Sequence, residues 1–263
     1  MDRTKVIITG AGGRMGTMLL DLVNRNPGFV LEGLLEHPDR LDALKAWSCP
    51  RGADPGELLA FSPEAVVIDF TQPVFTLKAV EAALKTGNPL VIGTTGFSRD
   101  EFGVLEKAAA SLPVFWAPNM SVGLNVLLEI LPNLTAMLGS EYDVEVSEIH
   151  HKNKKDAPSG TAAKLADTLS RAKGWDPRVV QRTCREGLIG ERPEQEIGVQ
   201  TLRGGDVVGE HTVYFLGPGE RIDVTHRAYS RETFAKGALR AAKWLSRQQP
   251  GKLYAMGDLF YAH

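Results

Sequence analysis

The sequence predicts an α/β protein with a Rossmann-type doubly wound parallel sheet, plus a second α+β domain with a mostly antiparallel open sheet. Two observations support this prediction. Over the first 120 residues, short apolar runs without polar alternation take turns with helical patterns, which is typical of parallel strands covered on both faces. After about residue 121, strand-like segments alternate polar and apolar residues, as antiparallel strands with one exposed face do.

The predicted strands of the first domain are β-branched apolar runs. They cover residues 5–9, 29–36, 65–70, 89–93 and 113–117. The segments between them place apolar residues three and four positions apart, which is the spacing of one helix face. Strands that alternate with helices in this way form βαβ units, and these units build a parallel sheet.

The second domain contains alternating segments and one helical segment. The predicted strands are residues 142–149, 196–203, 207–217 and 220–228, and the helix covers about 160–172. A long polar loop is expected over 174–195. A last helix, 231–246, carries on one face Phe234, Ala238, Ala241, Ala242 and Leu245. Its periodicity leaves open which domain it packs against.

Composition and charge argue against several classes of function. Thirty basic and 32 acidic side chains give a net charge of −2, so bulk charge predicts neither a nucleic-acid partner nor binding to a membrane. Cys49 and Cys184 form no C-x-x-C pair, which fits a reducing compartment and argues against a disulfide scaffold. No apolar run reaches the roughly 20 residues of a spanning helix, and no signal-peptide pattern precedes the first strand. We therefore expect a cytoplasmic protein.

A glycine turn follows the first predicted strand and opens a helix. Gly10, Gly13 and Gly16 stand at G-x-x-G-x-x-G spacing. Glycine lets the backbone turn tightly, so that the free N–H groups of the helix start can face a pyrophosphate. The strict G-x-G-x-x-G pattern is absent, because Met15 occupies its last glycine position. Taken alone, such a triplet is also compatible with a purely structural turn.

Glu36 favours a dinucleotide as the ligand of this turn. It follows the second strand, about 20 residues beyond the glycines, where an acidic residue accepts hydrogen bonds from the adenosine ribose. This favours NADH over NADPH, although His37 and Arg40 lie close enough in the chain that binding of the 2′-phosphate of NADPH is not excluded. Two small-residue loops, 93–97 and 117–123, follow the fourth and fifth strands. We expect them to complete a cofactor crevice rather than to be ordinary turns.

The segment SEIHHKNKKDAPSGTA, residues 147–162, is a second candidate site. Ser159 marks a helix start, whose N–H groups can bind a carboxylate or phosphate together with Lys154. His150 and His151 close the preceding strand, and a histidine there can supply or remove a proton near neutral pH. Their combination therefore predicts proton transfer to a bound anion.

Two other interpretations of this segment compete. Taken one at a time, each group has an ordinary structural explanation: the histidines can end a strand, the lysines can belong to a solvated loop, and Ser159 can cap a helix. Only their combination favours a reaction site. Zinc is the other interpretation, because His150, His151 and Asp156 could ligate it. No cysteine or H-x-x-E-H pattern completes such a ligand set, so we expect no metal.

Five segments of the chain resemble a known family. EIHHKNKKDAPSGTA, GAGGRMG, IDFTQP, VIGTTGF and NMSVGLN closely resemble the dihydrodipicolinate reductases, also called 4-hydroxy-tetrahydrodipicolinate reductases, and the similarity runs from about residue 5 to 259. The resemblance implies an oxidoreductase of lysine and diaminopimelate biosynthesis. Such an enzyme reduces 4-hydroxy-tetrahydrodipicolinate, a dicarboxylate, to tetrahydrodipicolinate with loss of water, using NADH or NADPH.

The resemblance also implies residue roles and an assembly. His150 is the expected proton donor and acceptor, and Lys154 is the second catalytic acid. The expected substrate-binding residues are His151, Lys154, Ser159, Gly160 and Thr161. The expected cofactor-binding residues are Gly10, Ala11, Gly12, Gly13, Arg14, Met15, Gly16, Glu36, His37, Gly93, Thr94, Thr95, Ala117, Pro118, Asn119 and Met120. The family plan implies a dinucleotide domain of residues 1–121 with 231–263, a substrate and oligomerisation domain of 122–230, and a homotetramer.

Two positions depart from the family pattern. Many relatives carry Arg directly after the acidic residue, where this chain has His37, and this disfavours the 2′-phosphate of NADPH. Relatives commonly have Phe in N-F-S-x-G, where Met120 stands, and we expect a similar apolar contact with the cofactor. The expected cofactor is NADH, with NADPH as the alternative.

Two functional alternatives remain open from the sequence alone. The same domain plan could serve an amino-acid or sugar-acid dehydrogenase, which turnover with those substrates would reveal. A catalytically silent, NAD-responsive binding protein would show no turnover at all. The intact set of His150, Lys154, Ser159, Gly160 and Thr161 argues against the silent protein.

Overall fold

The computed structural model describes residues 3–261. The chain divides into two compact units, one formed by Met1–Val122 with Glu232–His263 and the other by Gly123–Arg231. The first unit contains the glycine turn, and the second contains the segment 147–162.

Strands and helices alternate along most of the first unit, whereas the second unit ends in consecutive strands. The strands are β1 (Thr4–Thr9), β2 (Phe29–Leu35), β3 (Arg51–Gly52), β4 (Val66–Asp69), β5 (Leu90–Ile92), β6 (Val114–Trp116), β7 (Asp143–His150), β8 (Gln181–Arg182), β9 (Ile197–Arg203), β10 (Gly209–Gly217), β11 (Glu220–Ala228) and β12 (Leu253–Tyr254). The α-helices are α1 (Arg14–Arg25), α2 (Pro55–Ala60), α3 (Pro73–Thr86), α4 (Arg99–Ala108), α5 (Val122–Leu138), α6 (Gly160–Ala172), α7 (Pro177–Val180) and α8 (Glu232–Leu245). Two 3₁₀ helices cover Pro38–Leu44 and Met256–Leu259.

The first unit is built on a parallel sheet in the order β12-β6-β5-β4-β1-β2-β3. Its strand pairs are parallel, and the five strands predicted for this domain all belong to it, which confirms the Rossmann-type prediction. The edge strands β3 and β12 have two residues each, too few to show a sequence pattern. The strand order reverses between β1 and β4, and open α/β sheets bind ligands at the carboxyl ends of such a pair.

Both faces of this sheet are covered. Along β1, Val6 and Ile8 belong to a buried cluster shared with α1 and α8, whereas Ile7 belongs to one shared with α3 and α4. Helix α8 is thus part of the first unit, where Ala238 and Leu245 are fully buried. Periodicity did not show which domain the last helix packs against, and the structure places it on the parallel sheet of the first unit. Its small alanine side chains let the helix approach the sheet closely.

The second unit has a sheet in the order β11-β10-β7-β9-β8. Strand β10 pairs antiparallel with β11 and β7, whereas β9 pairs parallel with β7 and β8. The sheet is therefore mixed, and β9 runs parallel to β7 where an antiparallel strand was expected. Helix α6 lies between β7 and β9 in the chain and forms part of a crossover connection. Such a connection brings the chain back to the same end of the sheet, so that β9 starts in the same direction as β7. The α/β class with a second α+β domain is confirmed.

Three elements within residues 122–230 were not predicted: α5, α7 and β8. Helix α5 runs through Pro132, a residue that normally interrupts a helix, and it is apolar on most sides, so its segment shows no clear amphipathic period. The expected loop 174–195 holds the short elements α7 and β8. None of the helices within residues 3–261 is long and apolar enough to cross a membrane.

Candidate active site

The glycine turn joins β1 to α1. Gly10 has a φ of +59°, a left-handed conformation that glycine adopts without strain. Gly16 lets α1 pack on the turn, because a Cβ at this position would lie 2.2 Å from the carbonyl oxygen of Gly10. Gly12 and Arg14 are exposed, whereas Ala11 and Gly16 are buried and shape the turn from below. The start of α1 therefore faces solvent, where its dipole favours an anion.

Glu36 connects the end of β2 to this turn. Its carboxylate is 7% exposed, and Oε2 accepts the N–H of Gly12 at 2.6 Å while Oε1 accepts the N–H of His37 at 2.8 Å. His37 itself is exposed, and its Nδ1 accepts the N–H of Asp39 at 3.4 Å, at the start of the 3₁₀ helix. The carboxylate thus lies beside the turn, at the position expected to bind the ribose.

Asp69 is a buried carboxylate in the segment IDFTQP, and the sequence assigned no role to it. It is 1% exposed and accepts hydrogen bonds from four threonine hydroxyls: Thr9, Thr71 at 2.7 Å, Thr76, and Thr94 at 2.8 Å. These threonines lie at the end of β1, after β4, in α3 and after β5. Asp69 therefore joins the loops at the carboxyl ends of three neighbouring strands.

The two loops after β5 and β6 contain the remaining predicted cofactor residues. Thr95 and Pro118 are exposed, whereas the hydroxyl of Thr94 is directed at Asp69. Met120 is 1% exposed and packs in the core of the first unit, so the expected apolar contact of its side chain with a cofactor is corrected to a core contact. The other predicted cofactor residues lie on these loops and on the glycine turn: Gly13, Met15, Gly93, Ala117 and Asn119.

The first unit fits a nicotinamide dinucleotide in two respects. The exposed backbone of the turn and the start of α1 suit a pyrophosphate, and the carboxylate of Glu36 still has lone pairs for ribose hydroxyls beyond the two backbone N–H groups it accepts. Gly12 brings backbone and carboxylate together, because a Cβ there would lie 3.0 Å from Oε2 of Glu36.

In the second unit, His150 is the last residue of β7 and is 8% exposed. Its Nδ1 lies 2.5 Å from Oε2 of Glu148, which is two positions earlier on the same strand face. Burial lowers the pKa of His150, the hydrogen bond and charge of Glu148 raise it, and the charges of Lys154 and Arg203 lower it. The net effect is a lowered pKa, so the ring is mainly neutral at neutral pH.

Glu148 is fully buried and receives several donors. The guanidinium of Arg203 binds both carboxylate oxygens, at 2.8 and 2.9 Å, and the backbone N–H of Ser159 donates at 2.9 Å. Thr201 Oγ1 donates at 3.2 Å. Burial raises the pKa of Glu148, but the hydrogen bonds from Arg203, His150 and Ser159 outweigh it and lower the pKa to about 2. The group is a carboxylate at any physiological pH.

Helix α6 begins where the sequence predicts it. Ser159 is its N-cap, and the Ser159 Oγ accepts the N–H of Ala162 at 3.1 Å. The same Oγ lies 3.1 Å from Nε2 of His211, a buried residue of β10. Burial, and then the charge of His150, lower the pKa of His211 to about 3. Within residues 3–261, the N–H of Gly160 meets no acceptor and is available to a ligand.

Lys154 lies in the loop between β7 and α6. Its Nζ forms an ion pair with Oδ1 of Asp156 at 2.9 Å. Its charge contributes to lowering the pKa of both His150 and His211, so the ammonium group lies near the two rings. The structure thus brings Lys154, His150 and the start of α6 together.

The other residues of this loop differ in burial. His151 is half-buried, and its Nδ1 meets no hydrogen-bond partner within residues 3–261. Lys152 and Lys155 are exposed, as expected for solvated lysines. In the part of the chain that the structure describes, no group of three or more His, Cys, Asp or Glu side chains could hold a metal ion.

Together these residues form a cluster suited to acid–base chemistry on an anion. We call this set the acid–base cluster; it consists of Glu148, His150, Lys154, Ser159 and Gly160. The ring can carry a proton, while the ammonium group and the free N–H of the helix start can bind a carboxylate.

Sequence reasoning missed Glu148, Arg203 and His211. Glu148 carried a signal, since an acid two positions before a histidine on a strand shares its face. Arg203 and His211 carried none, because they come from strands whose register the sequence does not give.

Comparison with known proteins identifies the family. The model of the dihydrodipicolinate reductase N-terminus matches residues 4–120, and that of the C-terminus matches residues 123–260. The chain belongs to the dihydrodipicolinate reductase family. Like the other members, it is an oxidoreductase that works with a nicotinamide cofactor.

Individual members of the dihydrodipicolinate reductase family are similar over almost the whole chain. A 4-hydroxy-tetrahydrodipicolinate reductase of Nitratidesulfovibrio vulgaris (strain Miyazaki F) is 53% identical over 97% of this chain and 99% of its own. One from Lawsonia intracellularis is 48% identical over 97% and 98%. The solved structure of a dipicolinate-bound dihydrodipicolinate reductase from Paenisporosarcina sp. TG-14 has a TM-score of 0.77 at 25% identity and covers 96% of this chain and 97% of its own.

Proposed function

We propose that this chain reduces 4-hydroxy-tetrahydrodipicolinate to tetrahydrodipicolinate with loss of water, in lysine and diaminopimelate biosynthesis, and that it prefers NADH to NADPH. The acid–base cluster supports this proposal, because a dicarboxylate needs a local cationic site and the reduction needs a proton. The similar reductase from Paenisporosarcina was solved with dipicolinate, itself a dicarboxylate.

Four residues of the cluster have a task in this proposal: His150, Lys154, Ser159 and Gly160. A bound nicotinamide cofactor supplies the hydride. His150 supplies the proton, and Lys154 is the second acid. Lys154 also binds a substrate carboxylate together with the N–H groups of Gly160 and Thr161, while His151 and Ser159 line the same site. Gly12 to Met15 and Glu36 hold the cofactor, with the loops after β5 and β6.

A matched pair of lysine variants tests the substrate site. Lys154→Ala is expected to lower kcat/KM for the substrate by at least about 10²-fold. Lys155→Ala removes an exposed lysine from the same loop and is expected to leave kcat/KM within about 2-fold. Equal activity of the two variants would refute the role of Lys154, and turnover of an amino acid instead of this substrate would refute the reaction.

The preference for NADH is supported by Glu36. A 2′-phosphate at the ribose would meet this carboxylate, and no guanidinium stands directly after Glu36, because His37 occupies that position. We expect kcat/KM to be at least about 10-fold higher with NADH than with NADPH, as followed by absorbance with the same substrate. His37→Arg should narrow this ratio. Equal values for the wild-type enzyme would contradict the preference.

We also propose a cytoplasmic homotetramer that assembles through the second unit. Large exposed apolar side chains of that unit support the assembly; within the described residues they include Leu188 at 107% and Ile189 at 55% exposure. The two free cysteines, Cys49 and Cys184, suit a reducing compartment. Light scattering after gel filtration tests the assembly, and a monomeric mass at micromolar concentration would contradict it.

A further inference from the structure

We propose that Glu148 is a positioning residue, which holds the ring of His150 so that Nδ1–H donates to its carboxylate and Nε2 is the atom that exchanges the proton with the substrate. This inference rests on the proposed role of His150 as the proton donor. It assigns a task to a buried group that touches neither substrate nor cofactor in the proposed mechanism.

His150 and Glu148 form a close pair on one face of β7. Nδ1 of His150 lies 2.5 Å from Oε2 of Glu148, and both side chains point to the buried face of β7. Because a carboxylate can only accept, the ring nitrogen must be the donor. In the neutral ring, the proton therefore stays on Nδ1, and the lone pair is on Nε2.

The second ring nitrogen of His150, Nε2, has different surroundings from Nδ1. Within residues 3–261, Nε2 of His150 has no hydrogen-bond partner. It is also not among the fully buried side-chain atoms that lack a partner, so solvent or a ligand can reach it. Gly209 of the neighbouring strand β10 borders it, and a Cβ at that position would lie 2.9 Å from Nε2. The missing side chain leaves the Nε2 edge of the ring clear.

Glu148 is held in its charged form by its partners. A protonated carboxyl group could donate to the ring and would then allow the other tautomer. Arg203 prevents this, because its guanidinium binds both oxygens of the carboxylate and stabilises the ionised form. A fixed negative charge next to Nδ1 also stabilises the ring in its protonated state, before it gives up its proton.

Glu148 also connects the ring of His150 to the start of α6. Oε1 of Glu148 accepts the N–H of Ser159, the N-cap of α6, at 2.9 Å. One carboxylate thus holds both the proton donor and the N-terminus that would bind a substrate carboxylate. Glu148 thereby fixes the distance between these two parts of the site.

The charged and titratable groups around the ring come from four segments. They are Glu148 on β7, Lys154 in the following loop, Arg203 on β9 and His211 on β10. Among these four groups only Glu148 is an anion, so replacing it leaves the ring among positive or neutral groups. We therefore expect Glu148→Gln to move the protonation of His150 to lower pH.

The direct test is the tautomer of His150 in the wild-type protein, from ¹⁵N chemical shifts of the imidazole at a pH above its titration. The Nδ1–H form is expected, and a ring protonated on Nε2 would overturn the inference. This measurement needs neither substrate nor turnover, so it stands even if the proposed reaction is wrong.

The kinetic test compares Glu148→Gln with a matched control, Glu145→Gln. Glu145 lies on the same strand and also binds an arginine through both oxygens, but it lies on the opposite face and does not touch His150. We expect Glu148→Gln to lower kcat by about 10²-fold and to shift the pH profile of kcat to lower pH, with the dissociation constant of NADH within about 2-fold. Glu145→Gln should leave the profile unchanged.

A double variant separates positioning from a general structural role. If Glu148 acts through His150, adding Glu148→Gln to His150→Gln lowers kcat no further. A further loss of about 10²-fold in the double variant would overturn the inference. If His150→Gln alone keeps full activity, the proposed function fails at that residue, while the tautomer measurement still decides whether Glu148 orients the ring.

Discussion

The two most deeply buried carboxylates among residues 3–261, Asp69 at 1% and Glu148 at 0% exposure, are satisfied in opposite ways. Asp69 accepts only from neutral threonine hydroxyls, whereas Glu148 accepts from the guanidinium of Arg203 and from His150. The partners of Asp69 do not titrate, so this network can fix loops without responding to pH. The partners of Glu148 include a histidine, so its network can carry a proton.

The difference shows how similar buried groups can serve different tasks. In the first unit, a carboxylate at the carboxyl end of β4 holds together the loops that we assign to the cofactor. In the second unit, the carboxylate of Glu148 is hydrogen-bonded to His150, and we propose that it fixes the tautomer of that ring. A buried carboxylate is costly in either case, and only its hydrogen bonds make the burial tolerable.

The largest expected effect is the loss of the Asp69 network. Asp69→Ala removes the acceptor of four buried or half-buried hydroxyls, and we expect the free energy of unfolding to fall by about 4 kcal/mol. Urea denaturation followed by circular dichroism measures this value. Asp42→Ala is the control, because this side chain is 85% exposed and its ion pair with Lys45 is worth at most about 1 kcal/mol. Similar losses in both variants would contradict a network role for Asp69.

A smaller effect is expected from pH, and only in the second unit. His211 is 5% exposed with a pKa lowered to about 3, so as the pH falls below 6.5 the unfolded chain binds a proton that the folded chain does not. The free energy of unfolding therefore decreases as the pH falls. Between pH 8 and pH 5 this linkage amounts to about 2 kcal/mol. His211→Gln should flatten the dependence of the unfolding free energy on pH by that amount.

Two controls sharpen the pH comparison. Thr76→Val, in the Asp69 network, should leave the slope of unfolding free energy against pH as in the wild type. Parallel slopes for the wild type and His211→Gln would show that His211 is not held neutral in the folded state.

The smallest effect is the loss of one hydroxyl from the Asp69 network. Thr76 is 1% exposed and donates to Oδ2 of Asp69. Thr76→Val keeps the shape but removes the donor, and we expect a loss of about 1 kcal/mol in the free energy of unfolding. Thr76→Ser restores the donor and should recover more than half of that loss. No difference between Val and Ser at this position would mean that packing, and not the hydrogen bond, stabilises this site.

The sequence was sufficient for the features that depend on local pattern. The parallel strands, the N-cap Ser159 and the start of α6 follow from apolar runs and capping chemistry, which neighbouring residues determine. The direction of β9 relative to β7 was not accessible, because alternation shows which side chains face the core but not which way a strand runs. Helix α5 was missed since an apolar helix containing Pro132 has no amphipathic signature.

The site residues also divide into those that a local sequence motif identifies and those that depend on contacts between distant parts of the chain. Gly10, Glu36 and His150 were selected because a motif names them, and the structure places each at the end or start of an element, as expected. Arg203 entered only through the pairing of β9 with β7, a contact between residues distant in the chain. Met120 was assigned to the cofactor by resemblance, but its packing in the core depends on α8, which lies far along the chain.

The most direct test of the proposed function is the turnover of His150→Gln with 4-hydroxy-tetrahydrodipicolinate and NADH, measured together with the dissociation constant of NADH. We expect kcat to fall by at least about 10²-fold, because the proton donor is lost, while the dissociation constant of NADH stays within about 2-fold of the wild type. A kcat equal to that of the wild type would contradict the assignment of His150 and of the acid–base cluster built around it.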